Sequence, residues 1–125
     1  MKALLITDIQ YDFLPGGALA VPEGDKIIPV INSIMGHFPL VVALQDWHPS
    51  NHKSFASNHE GKEPMDVIDL NGIEQILWPD HCVQETRGAQ YSSEINSKPI
   101  EAIIRKGMDP EIESCSSFYD NGHKK

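Results

Sequence analysis

Basic residues are scarce. Ten Lys and Arg stand against 18 Asp and Glu in 125 residues, a formal charge of −8. A nucleic-acid binder needs a basic face to meet phosphate, so that class is excluded. Cysteine is scarcer still. Cys82 and Cys115 are too few for a disulfide framework, and free thiols in a reducing compartment, the cytoplasm, are expected. Long apolar runs are missing. Nothing approaches the roughly 18 residues of a membrane span, so a soluble chain with no membrane partner is expected. The opening Met1-Lys2-Ala3-Leu4-Leu5-Ile6 has too short an apolar stretch before Asp8 for a signal peptide.

Several chemistries are missing too. No Gly-rich phosphate loop leads into Lys and Ser/Thr. Asp8 and Asp12 are four apart, not two apart as in aspartate-based phosphotransferases. His81-Cys82 lacks the His-x-Glu and Pro-Cys-x-x-Cys pattern of zinc deaminases. There is no internal repeat and no low-complexity tract. What remains is 40% hydrophobic residues, enough to pack one core in one domain spanning residues 1–125.

The short apolar run Ala3 to Ile6 reads as a strand buried on both faces. Phe13-Leu14-Pro15-Gly16-Gly17 reads as a loop. Asp25 opens a helical pattern with Ile27, Ile28, Ile31, Ile34, Met35 and Phe38 on one stripe, and Pro29 must fall in its first turn. Leu40 to Leu44 predicts a second strand, and Ile100 to Arg105 a third. Between them, Trp47 to about Asp80 is polar with little periodicity. Loops this long in compact domains are functional or disordered. A short helix is expected over residues 88–97, and no clear element from Met108 to Lys125. The order strand, helix, strand, excursion, strand predicts an α/β fold with a parallel sheet.

The three predicted strands end at or beside ionisable residues: Asp8, Asp46 and Lys106. Open α/β sheets bind ligands beyond the carboxyl ends of their strands, so these three are expected to converge. Strands also commonly end in polar loop residues, and position alone does not decide. Asp46 and His48 are two apart and share one side of an extended segment. His52 follows four residues later, and His81 lies across the excursion. A carboxylate with two or three imidazoles suits Zn²⁺, Fe²⁺ or Mn²⁺. His37 and His59 have no acidic partner at ligand spacing and are assigned to solvent. A desolvated Asp8 carboxyl would have a raised pKa and suit a general base. Lys106 would hold Asp8 ionised or stabilise developing negative charge.

These residues sit in longer motifs. They include Asp8-Ile9-Gln10-Tyr11-Asp12-Phe13, Gly16-Gly17-Ala18-Leu19-Ala20-Val21-Pro22 and Gln45-Asp46-Trp47-His48-Pro49-Ser50-Asn51-His52. Further on come Trp78-Pro79-Asp80-His81-Cys82-Val83, Lys106-Gly107 and Ser116-Ser117-Phe118. In this order they resemble the N-terminal part of the nicotinamidase/pyrazinamidase branch of the isochorismatase-like cysteine hydrolases. The resemblance implies a partial doubly wound parallel sheet, strands 1–3 of a three-layer α/β/α fold. It implies hydrolysis of nicotinamide, or of pyrazinamide, in NAD salvage. Asp8 matches the family's catalytic Asp and Lys106 its catalytic Lys. Asp46, His48 and His81 match the metal ligands, and His52 falls where some members have a further ligand. Phe13 and Trp78 match aromatic walls around the pyridine ring. One divalent ion is implied, zinc or alternatively iron or manganese.

The resemblance also implies a gap. The family's nucleophilic cysteine lies in its C-terminal half, and the 125 residues stop before it. Cys82 and Cys115 match positions that are not the nucleophile. The expected chain therefore carries metal site, base and lysine, with an inactive metal- or nicotinamide-binding fragment as the alternative. The family sheet order 3-2-1-4-5-6 would leave strand 1 as an open edge here. A second polypeptide or self-association is expected to cover it.

Overall fold

The computed structural model describes residues 1–124. Its sheet has three parallel strands: β1 (Ala3–Thr7), β2 (Leu40–Asp46) and β5 (Ala102–Lys106), in the order β1-β2-β5. This is the predicted parallel α/β arrangement, with β2 central. The registers pair Ile6 with Ala43 and Asp46 with Lys106. The carboxyl ends of all three strands therefore lie at the same end of the sheet.

The strand β2 is buried from Val41 to Asp46, as a central parallel strand should be. The expectation of burial on both faces fails for β1. Ile6 is buried and Leu4 partly so, but Ala3, Leu5 and Thr7 are exposed. The reason is position: β1 is a sheet edge, and no helix among the described residues covers the face that carries Leu5 and Ile104.

The helix α1 (Ile27–Ile34) begins after a 3-10 turn at Gly24–Lys26 and runs into another at Met35–His37. Pro29 lies in its first turn, where its missing N–H costs no helix bond. Ile28, Ile31 and Met35 form the buried stripe and pack with Ile6, Ile9, Leu14, Val41 and Ile95. Ile27 falls off that stripe and is exposed.

The excursion after β2 is not wholly irregular. It contains an antiparallel hairpin, β3 (Val67–Leu70) and β4 (Ile73–Ile76), closed by Asn71 and Gly72, both at positive φ. Positive φ at both central residues is the geometry of the tight hairpin turn that Asn-Gly favours. The helix expected over 88–97 does not form. A 3-10 turn at Arg87–Ala89 is followed by an extended segment, and the N–H of Ser92 donates to the Ile9 carbonyl. Pairing with the loop after β1 outcompetes a helix here. Among the described residues, no helix is long and apolar enough to cross a membrane.

Candidate active site and metal centre

The site is built at the carboxyl ends of the three strands. Asp8 follows β1 at φ 60, a left-handed conformation, with its N–H donating to the Leu44 carbonyl at 3.0 Å. Lys106 ends β5, and its Nζ stands 3.2 Å from Asp8 Oδ2 and 3.0 Å from Asp46 Oδ1. The same ammonium donates to the Ser114 carbonyl. Register explains the convergence, because Asp46 and Lys106 are direct neighbours in the ladder.

The excursion is laced back onto this end. Trp47 N–H donates to Lys106 O, and His48 N–H donates to Cys82 O. Short parallel bridges join His48 to Val83 and Phe55 to Trp78. These bonds bring His81 beside the end of β2. Buried Gln10 fixes the Asp46 backbone from the other side. Its Nε2 donates to Asp46 O at 2.7 Å and its Oε1 accepts the Asp46 N–H at 2.8 Å.

Asp46, His48 and His81 form a buried cluster of candidate metal donors. His48 Nε2 lies 2.9 Å and His81 Nε2 3.6 Å from Asp46 Oδ2. The outer nitrogen of each ring is engaged elsewhere. His48 Nδ1 lies 2.7 Å from Gly107 O, and His81 Nδ1 lies 2.8 Å from Pro79 O. A carbonyl only accepts, so each Nδ1 carries a proton and each Nε2 is left facing the carboxylate. The His48 contact also lacks hydrogen-bond geometry, leaving its buried Nε2 without a partner. A lone pair facing a carboxylate needs a proton or a cation between them. Rings oriented by their outer N–H are the usual arrangement of metal-binding histidines. The donor set fits a divalent ion.

Charge follows the same logic. Burial alone would raise the Asp46 carboxyl, but His48, His81 and Lys106 hold it well below the usual range. Burial alone would lower His48, but the Asp46 and Glu113 carboxylates raise it. Burial raises the Asp8 carboxyl, with Lys106 only partly offsetting it. The expected desolvation of Asp8 is thus present, and its Oδ1 is buried with no hydrogen-bond partner.

A cavity of about 200 Å³ opens in front of these groups. Asp8, Phe13, Asp46, Trp78, His81 and Lys106 all line it. The structure thus brings together six of the eight residues singled out in the sequence. His48 and His52 lie behind this wall, fully buried, with their rings 4.4 Å apart. His52 belongs to a second cluster, with His48 and Glu113. Sequence reasoning missed Glu113. It lies in an irregular tail, with no spacing signal linking it to the histidines.

Neither thiol is poised for attack. Cys82 is completely buried, and burial with nearby carboxylates pushes its thiol up. Cys115 lines the cavity, yet partial burial and Glu113 raise its thiol as well.

No family model matches the chain. Individual proteins do. A nicotinamidase from Escherichia coli is 48% identical over 127 residues, covering 98% of this chain. The yeast nicotinamidase bound to the inhibitor nicotinaldehyde superposes with a TM-score of 0.89 at 37% identity, over the whole chain. The pyrazinamidase of Pyrococcus horikoshii in complex with zinc gives a TM-score of 0.68 at 41% identity, covering 90% of this chain.

The chain is similar to nicotinamidases and a pyrazinamidase along at least 90% of its own length.

It spans 59% of the length of the Escherichia coli nicotinamidase, 65% of the yeast chain and 55% of the Pyrococcus chain. The strand order of its sheet, read from β5 to β1, is the 3-2-1 half of the arrangement that the family resemblance implied.

Proposed function

We propose that this chain forms the metal- and substrate-binding part of an enzyme that hydrolyses nicotinamide, or pyrazinamide, to the acid and ammonia. The observation that carries the reading is the single cavity that joins a carboxylate–ammonium pair, two metal donors and two aromatic side chains. The yeast relative's inhibitor and the Pyrococcus relative's zinc agree with it.

Phe13 and Trp78 take the pyridine ring between them. Asp46, His48 and His81 hold one divalent ion, with zinc favoured over iron or manganese. When bound, the ion supplies a Lewis acid for the ring nitrogen, which orients the amide. Asp8 is the base. It accepts the proton of an attacking thiol, the thiolate adds to the amide carbon, and the C–N bond breaks as Asp8 returns the proton to leaving ammonia. Water then cleaves the thioester, giving nicotinate and restoring the thiol. Lys106 holds Asp8 in place and limits its pKa. Since Cys82 is sealed and Cys115 is not activated, we assign the thiol to a segment beyond these 125 residues. The free thiols agree with a reducing cytoplasm, and the reaction with a place in NAD salvage.

The test is nicotinamide binding to the metal-loaded chain, followed by quenching of tryptophan fluorescence and by calorimetry. Ammonia release is measured on the same sample. Metal-dependent binding lost in Trp78→Ala supports the proposal. A chain that binds metal but neither nicotinamide nor pyrazinamide overturns it. Turnover abolished by Cys82→Ala or Cys115→Ala would overturn the assignment of the nucleophile. Binding without turnover in this chain alone would match the inactive-fragment alternative for the isolated piece.

A further inference from the structure

The motif from Asp8 to Phe13 holds one carboxylate that the proposed mechanism does not use, that of Asp12. Asp12 does not line the cavity, although its neighbour Phe13 does. Its Oδ2 instead accepts the Cys82 N–H at 2.7 Å, from a residue 70 positions away in sequence. Hydrogen bonds to an ionised carboxylate are among the stronger kinds. Its Oδ1 accepts the Ala18 N–H at 3.3 Å, and its carbonyl accepts the Leu19 N–H at 2.9 Å. Leu19 also lines the cavity.

Cys82 needs such a hold. Its φ is 48, a left-handed conformation that a residue with a side chain keeps only where its surroundings impose it. Both of its backbone polar groups are tied. Asp12 takes the N–H, and the carbonyl accepts the His48 N–H at 2.9 Å. The residue before it is His81. One strained residue thus links the two histidines of the candidate metal centre. The Asp12 bond also draws this segment onto the loop after β1, where the rings of Phe13 and His81 lie 5.7 Å apart. Gly88 closes the other side of Asp12. A Cβ there would overlap both carboxylate oxygens, so a side chain at that position would push them off Cys82.

We propose that Asp12 is a positioning residue. Its carboxylate clamps the His81–Cys82 peptide to the loop after β1, and so fixes His81 and Phe13 relative to each other. It lies outside the cavity and acts through those neighbours. The effect of the clamp on metal and nicotinamide binding rests on the proposed function, whereas the clamp itself does not.

The test compares the wild type with Asp12→Ala, Asp12→Asn, Gly88→Ala and Ile31→Val. The last is a destabilising change in the α1 core, away from the site. In the metal-free protein, NMR reads hydrogen exchange of the Cys82 amide and the cross-peak between the Phe13 and His81 rings. Asp12→Ala and Gly88→Ala are expected to speed the exchange and lose the cross-peak. Asp12→Asn, which keeps an acceptor for Cys82, should retain both features, as should Ile31→Val. In the loaded protein, Asp12→Ala should alter the Co²⁺ absorption spectrum and weaken metal-dependent nicotinamide binding about tenfold, the low end of the loss when groups supporting metal ligands are removed. Wild-type exchange and cross-peak in Asp12→Ala overturn the proposal. So do losses in Ile31→Val as large as those in Asp12→Ala, because the role would then be general stability. A wild type that binds no nicotinamide overturns the proposed function alone, and the metal-free spectra still decide the clamp.

Discussion

Lys106 Nζ lies 3.2 Å from Asp8 Oδ2, joining residues from opposite edges of the sheet across the end of β2. The pair is not a simple salt bridge, because the same ammonium also holds Asp46 at 3.0 Å. One cation shared by two carboxylates leaves the more weakly held one with a raised pKa. That one is Asp8, where desolvation outweighs Lys106.

The sign of the pH dependence follows. Asp8 acts as a base only when ionised, so the basic form is lost as pH falls through its raised pKa. Removing Lys106 removes the main influence that lowers this pKa. Lys106→Met should therefore move the Asp8 titration to higher pH, as read by carboxyl ¹³C shifts in the metal-free protein. For stability, a carboxyl whose folded pKa exceeds its unfolded value favours folding below the unfolded pKa. That contribution is lost as pH rises through the folded pKa. Asp8→Asn, permanently neutral, should accordingly melt no lower than the wild type at pH 7. A clear drop in Tm would show that ionised Asp8 stabilises the fold.

Metal removal gives a second expectation. With the ion gone, the Nε2 atoms of His48 and His81 face Asp46 with no metal to hold the three together. A ligand bound only by the folded state adds about 2.7 kcal/mol of stability at a hundred times its Kd. Zn²⁺ should thus raise Tm and a chelator should reverse the rise. Asp46→Ala should abolish the Zn²⁺-dependent shift. A shift that survives in Asp46→Ala would place the binding elsewhere.

Gly107 joins the fold to this chemistry. Its φ is +69, a conformation that L side chains rarely adopt, and its carbonyl orients His48. A Cβ there would meet His48 Cε1 at 2.6 Å and Nδ1 at 2.8 Å. His48 is fully buried and cannot yield. Gly107→Ala should cost at least about 2 kcal/mol and weaken metal binding together. A methyl group at Gly36 would meet no atom within 4 Å, so Gly36→Ala is the matched control and should leave both unchanged. Equal denaturation midpoints for the two variants would refute the steric account.

How much of this was legible in the sequence depended on range. β2 and β5 showed as apolar runs, and Pro29 correctly limited the start of α1. Asp46, His48 and His81 showed because their residue types, not their spacing alone, restrict the chemistry. The β3–β4 hairpin was overlooked although Asn71-Gly72 is a strong local turn signal. The polar composition around it masked the short strands. The helix expected at 88–97 failed because the N–H of Ser92 found the Ile9 carbonyl, a partner far away in sequence. Glu113 was hidden for the same reason. Its position arises from a tail folding back over Ser54 and His48, and nothing near it in sequence announces that contact.

The outer edge of β1 pairs with no strand among the described residues. Beside it Leu5 is 43% exposed, and on β5 Ile103 and Ile104 are 59% and 55% exposed. An apolar edge strand with unpaired backbone groups is a template for another chain. The isolated 125-residue protein should therefore self-associate as its concentration rises, measured by light scattering after size exclusion. Charge on an edge strand opposes such pairing, so Leu5→Lys should shift the protein toward monomer. Leu5 points away from the α1 core, so the substitution should not lower Tm appreciably. A wild type that stays monomeric at every concentration, with a cooperative melt, would show that this edge needs no cover. Association that persists unchanged in Leu5→Lys would move the contact to the β5 side, where Ile103 and Ile104 become the next substitutions to test.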